Sequence, residues 1–196
     1  MLLAVLLAVF LMLFPTEVHG KNSSNYFPRE MEKSLSNYNV PLRLLSEPPL
    51  WRRPHGFPVY RLTFNRRVGF WETITFHAHA RNPHIVVKFG NLIGVKRSRY
   101  TQNLALTSVA REKFLSEINS TGFWNSPTFS DILGTTPKTL RDDTLDAEPW
   151  IVEGVDKNRY HVVKRGWTRI DKCSQLKEIF YNQAKKFDVL KADDVR

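Results

Sequence analysis

Between Pro58 and Phe89 the chain runs through three short stretches of strand-like residues, with only a few residues between one and the next. In Pro58–Phe64 the apolar residues Tyr60, Leu62 and Phe64 share a face; in the run from Phe70 to Ala80, Phe70, Ile74 and Phe76 do; His84–Phe89 is short and β-branched. Side chains that repeat every two residues mark a strand with one buried face. The segments Asn65–Gly69 and Asn82-Pro83 carry turn residues. Parallel neighbours need a crossover of about a dozen residues or more, so connections this short impose antiparallel pairing. Whatever else the chain does, it must be built on this meander.

The period then changes. Over Leu106–Asn119, Ala110, Phe114 and Ile118 recur every four residues with Leu115 beside them, which predicts a helix. Thr107 or Ser108 suits its N-cap, and Gly122 suits the position just past its end. A polar connection runs from Ser126 to about Asp143. Trp150–Val155 and Arg159–Arg165 then flank Asp156-Lys157-Asn158, which predicts a hairpin. A last helix is expected from about Lys172 to Phe187, with Leu176, Ile179, Phe180 and Phe187 on one stripe. Leu92–Tyr100 reads as a basic loop or edge segment. The order strand–strand–strand–helix–hairpin–helix implies an α+β fold, an antiparallel sheet with two helices packed on one face, in a single domain over residues 57–190. Residues 21–56 are polar and punctuated by Pro41, Pro48, Pro49 and Pro54. They are expected to form an extended arm that lays Leu42–Leu50 on the domain.

The first 14 residues, Met1–Phe14, are almost purely apolar, and Pro15 and Val18-His19-Gly20 follow. An apolar core, a helix breaker and small residues before a cleavage point describe a signal peptide over residues 1–20. The run is shorter than the ~20 residues that span a bilayer. The expected location is therefore secreted or periplasmic, with no transmembrane domain after cleavage; the alternative is a tether formed by the uncleaved segment. The single cysteine, Cys173, excludes an intramolecular disulfide and is read as a buried structural thiol. Formal net charge is +10, and +11 beyond residue 20, because Glu17 is the only charged residue before it. Such a balance favours anionic partners. Export argues against nucleic acid, leaving a protein or an anionic envelope component, a glycan or a lipid headgroup.

Two stretches carry a resemblance. Gly122-Phe123-Trp124 follows the first helix; Leu145-Asp146-Ala147-Glu148-Pro149-Trp150-Ile151-Val152-Glu153-Gly154 then leads to Tyr160-His161-Val162-Val163-Lys164-Arg165-Gly166-Trp167. Together they resemble a group of uncharacterised bacterial exported or envelope proteins with a Gly-Phe-Trp segment and a Trp-Ile-x-Glu-Gly … Tyr-His-Val-Val hairpin. The resemblance covers roughly residues 106–187. Ala147 stands where that group has glycine, and Gly166 separates Arg165 from Trp167. The resemblance implies an export context and a fold outline but no activity.

Three constellations could carry chemistry. Asp146, Glu153 and His161 lie in and before the hairpin, where Glu153 and His161 could be cross-strand neighbours. A carboxylate beside an imidazole raises its basicity, as a small hydrolase would need; the same pair is an ordinary stabilising cross-strand contact, the reading preferred here. His77 and His79 would share a strand face with His84 across the turn, and neutral imidazoles suit Zn²⁺ or Cu²⁺; with no Cys or carboxylate nearby, solvent-facing histidines are preferred. Lys96, Arg97 and Arg99 could bind an anion. The sequence carries no nucleophile elbow, phosphate loop or His-Glu-x-x-His motif, and it implies no cofactor. The expected function is a non-enzymatic extracytoplasmic binding domain.

Overall fold

The computed structural model describes residues 25–52, 55–67, 69–91, 99–128, 150–157, 159–165 and 172–185. The expected signal peptide over residues 1–20 lies outside them. Six strands form one antiparallel sheet: β1 (His55–Arg67), β2 (Phe70–His77), β3 (His84–Asn91), β4 (Arg99–Ala105), β5 (Trp150–Lys157) and β6 (Arg159–Arg165), in the order β4-β3-β2-β1-β5-β6. Helices α1 (Arg29–Leu35) and α2 (Asn39–Leu44) precede the sheet, α3 (Ser108–Ser120) joins β4 to the β5–β6 hairpin, and α4 (Gln175–Lys185) follows β6. The fold is α+β with the antiparallel meander, the hairpin and the two later helices that the patterning predicts.

Register follows side-chain parity. Tyr60 stands opposite Phe76, which stands opposite Ile85, which stands opposite Leu104; Leu62, Ile74 and Val87 form the next row. These residues share one core with Phe114 and Ile118 of α3 and with Leu176, Phe180 and Ala184 of α4. Phe114 stacks on Phe76 at 3.9 Å between ring centroids and meets Phe180 edge-on at 5.1 Å, which locks the two helices to the sheet and to each other. Thr107 caps α3, its hydroxyl accepting from the Ala110 N–H at 3.1 Å.

Two features depart from the expectation. Arg99–Ala105 is a full fourth strand, paired with β3 from Gly90↔Arg99 to His84↔Ala105. The lead, expected as an extended arm, is instead helical. Leu35, Tyr38 and Leu42 recur at helical spacing across a 3₁₀ turn (Ser36–Tyr38) that joins α1 to α2. With Phe27 they bury against Ile151 and Val162, on the sheet face opposite α3 and α4. Pro41 sits in the first turn of α2, where a missing N–H costs little. The sheet is therefore covered on both faces.

The described parts of the stretches that carry the resemblance meet in space. Gly122 takes φ +71°, a left-handed conformation that favours glycine, and turns the chain out of α3 into a short 3₁₀ turn, Phe123–Asn125. The Phe123 ring then lies on the backbone of Gly154 in β5. A Cβ at Gly154 would sit 2.5 Å from Phe123 Cε1 and 3.0 Å from Tyr60 Cδ1. Gly154→Ala therefore overpacks this contact. It is expected to lower stability by about 1–3 kcal/mol, read as a drop in the midpoint of urea unfolding.

Candidate functional site

The face beneath the N-terminal helices holds a buried ionic network. Arg61 on β1 and Glu153 on β5 are opposite each other in register and are both fully buried. Arg61 donates to Glu153 Oε2 from Nε at 2.9 Å and from Nη2 at 2.6 Å; its Nη1 donates to Glu47 Oε2 at 3.2 Å and to the Pro48 carbonyl at 2.8 Å. Tyr160 Oη donates to Glu153 Oε1 at 2.9 Å. Glu47 Oε1 in turn accepts from Thr73 at 3.0 Å and pairs with Lys88 at 2.8 Å. Burial opposes the charge of Glu47, but Arg61, Lys88 and Thr73 outweigh it and hold its carboxyl below the usual value. Burial and the adjacent Glu153 charge push the Tyr160 phenol well above its own.

This network decides the role of Glu153. Both of its oxygens are engaged within the protein and the residue is fully buried, so its carboxylate is not presented to a substrate from solvent. His161 is not its neighbour. The register pairs Glu153 with Val162 and His161 with Gly154, so the two side chains project from opposite faces of the sheet. His161 packs among aromatic rings, 5.1 Å from Phe123 and 6.4 Å from Trp124. Burial lowers the proton affinity of its imidazole, and its Nε2 has no hydrogen-bond partner among the described residues. Asp146 lies outside the described residues. The cross-strand contact considered for Glu153 and His161 is thus corrected: Glu153 belongs to a structural ion pair on one face, and His161 to an aromatic cluster on the other.

The histidine cluster also comes apart. His77 and His84 are opposite in register and stack at 4.5 Å. But β2 ends at His77, and His79 lies in the turn beyond it. There its Nδ1 accepts the backbone N–H groups of Arg81 and Asn82 at 3.2 and 3.1 Å, and its ring stands edge-on to Phe57. His84 Nδ1 lies 3.0 Å from the Asn82 carbonyl. Among the described residues no group of three or more His, Cys, Asp or Glu is placed to hold a metal ion. Cys173 is buried, as expected, with Sγ 2.7 Å from Ser126 Oγ.

Of the expected anion-binding residues, Arg99 alone is among the described ones. Lys96 and Arg97 lie outside the described residues, in the connection from Asn91 to Arg99; Arg99 opens β4 opposite Gly90. Beside it Tyr100 is 44 % exposed, stacks on Phe89 across the pair at 4.7 Å, and donates to Gln102 Oε1 at 3.1 Å. An exposed aromatic held by a stacked neighbour presents a rigid apolar face with a polar tip.

One further cluster escaped the sequence reading. Glu72 projects into the helical face between Phe70 and Ile74, at an inward position of β2. It is 1 % exposed and its Oε1 has no hydrogen-bond partner among the described residues. Burial raises its carboxyl to about 7, with Arg66 and Lys177 opposing. Lys177 on α4, its Nζ 5.1 Å from the centre of the Phe64 ring, is lowered by burial to about 8. The open groove between α3 and α4, about 490 Å³ and lined by Lys113, Glu117, Glu178 and Lys185 among others, contains none of the predicted site residues.

No protein-family model and no curated protein matches the chain.

Two outcomes are expected from these clusters. Glu153→Leu leaves Arg61 buried without its main counter-charge and should cost about 3–5 kcal/mol; the double variant with Arg61→Met should recover much of it, measured by urea unfolding. A carboxyl raised in the folded state contributes stability that is present below its unfolded value of 4.5 and is lost as pH rises toward about 7. Glu72→Gln should therefore match the parent near pH 4.5 and exceed it by about 3 kcal/mol above pH 7, measured as unfolding free energy against pH.

Proposed function

We propose that the domain is a non-enzymatic extracytoplasmic binding module that engages an anionic partner through the outer end of the β3–β4 pair. The observation that carries this reading is Tyr100: a large ring left exposed at the edge of the sheet, held by Phe89, next to Arg99 and to the connection that bears Lys96 and Arg97. Basic residues close in sequence to an exposed aromatic supply long-range attraction, and the ring supplies a contact surface. The net charge of +10 acts in the same direction. The engagement of Glu153 by Arg61 and Tyr160, on the face away from His161, speaks against the hydrolase alternative. An extracytoplasmic setting is supported by the apolar opening run, and no helix among the described residues is long and apolar enough to cross a membrane.

Heparin serves as a probe of anion binding. The protein lacking residues 1–20 should be retained on immobilised heparin at low salt and eluted by rising salt. Replacing Lys96, Arg97 and Arg99 with Ala should move elution to markedly lower salt with an unchanged circular dichroism spectrum. No retention at low salt, or elution unaltered by the triple replacement, would count against the reading.

A further inference from the structure

The two edges of the sheet are finished differently. On β6 the Lys164 N–H, directed away from β5, donates to the Thr128 carbonyl at 2.8 Å, and Arg165 Nη1 donates to the Pro127 carbonyl at 3.1 Å. The short segment after α3 therefore lies along that edge. β4 has no such cover among the described residues. The Leu106 N–H donates to Pro83 across the pair at 2.8 Å, which fixes the alternation along the strand. Residues 100, 102, 104 and 106 direct their backbone groups at β3; Arg99, Thr101, Asn103 and Ala105 direct theirs outward. The side chains of Thr101, Asn103 and Ala105 are exposed as well.

An open row of this kind is a template for another strand, and proteins normally blunt it with Lys, Pro, a bulge or a very short edge. β4 uses none of these beyond Arg99 at its first position. It runs for seven residues, contains neither Lys nor Pro, and keeps unbroken register with β3. β1, by contrast, slips against both of its neighbours. Of the three large hydrophobic residues exposed among the described residues, two, Tyr100 at 44 % and Val109 at 76 %, belong to β4 and the start of α3.

We propose that β4 is a docking edge for an extended acidic polypeptide, which adds to the sheet as a seventh strand. Outward N–H and C=O groups at Thr101 and Asn103 supply the ladder, and the stacked Tyr100 ring supplies apolar contact for a side chain on the helical face of the added strand. The charge of the chain, +10, selects the acidic partner and disfavours a second copy of itself. This deepens the anionic-partner reading above and rests on it: it assigns the partner to the polypeptides and the recognition to the backbone.

The experiment uses the peptide (Glu-Val)4, its fully N-methylated counterpart and heparin, each titrated against the protein lacking residues 1–20, with Asn103→Pro and Thr101→Pro as variants. Proline at either position removes an outward N–H that the β3 ladder does not use. The expected result is binding of (Glu-Val)4, at least tenfold weaker binding of the N-methylated peptide and at least tenfold weaker binding of (Glu-Val)4 by either variant. Heparin retention should be unchanged in both variants. The N-methylated comparison leaves the protein untouched, so it decides the matter even where a proline variant fails to fold. Equal binding of the two peptides, or heparin binding without peptide binding, overturns the added strand and leaves the anionic reading standing. Binding of neither probe at low salt overturns both. A dimer in solution that Asn103→Pro dissolves assigns the edge to a second copy and overturns the acidic-peptide proposal.

Discussion

A guanidinium with no access to water sits on the central strand, and the architecture around it answers that fact. Arg61 is fully buried on β1, so its charge must be met within the protein. Glu153 meets it from β5 and Glu47 meets it from the segment that follows α2. The second contact is the consequential one. It draws the chain after α2 over the sheet, where Thr73, Lys88 and the Pro48 carbonyl complete the coordination of both groups. Hydrophobic burial of Phe27, Leu35, Tyr38 and Leu42 supplies area on the same face, but area is indifferent to register. The ion pair fixes which residue of β1 faces which residue of β5, and a slip by one would send Arg61 into the aromatic core.

Most of the sheet was legible in the sequence because β1, β2 and β3 each carry inward residues at a period of two. β4 was not, since Tyr-Thr-Gln-Asn-Leu-Ala buries only Leu104 well and shows no alternation of polarity. Its inward row is Tyr100, Gln102 and Leu104, of which Tyr100 is exposed and Gln102 only half-buried, so little burial at this edge demands an apolar side chain at every second position. The N-terminal helices were hidden for another reason. Their apolar residues are few, the run is split by a 3₁₀ turn, and Pro41 reads as a breaker until its place in a first helical turn is known.

The site readings turned on parity. Asp156 pairs with Arg159 across the tight turn, and this places Glu153 opposite Val162. Counting that allowed Glu153 and His161 to be neighbours was off by one residue, which in a strand is the whole thickness of the sheet. The His77–His79 pairing failed because β2 stops between them, a boundary that periodicity does not mark. Glu72, on the other hand, left a trace. It occupies the position between Phe70 and Ile74 on the inward row of β2, where an acid among apolar residues signals a buried carboxyl.

The unequal finish of the two outer strands also limits how this sheet can grow. Open-ended stacking of chains needs a free strand edge, with its N–H and C=O groups unpaired, on each of two opposite sides of every molecule. Here residues 126–128 already occupy part of the far side. An incoming strand at β4 therefore completes the sheet, and a fibre cannot propagate through the molecule without first peeling that segment away.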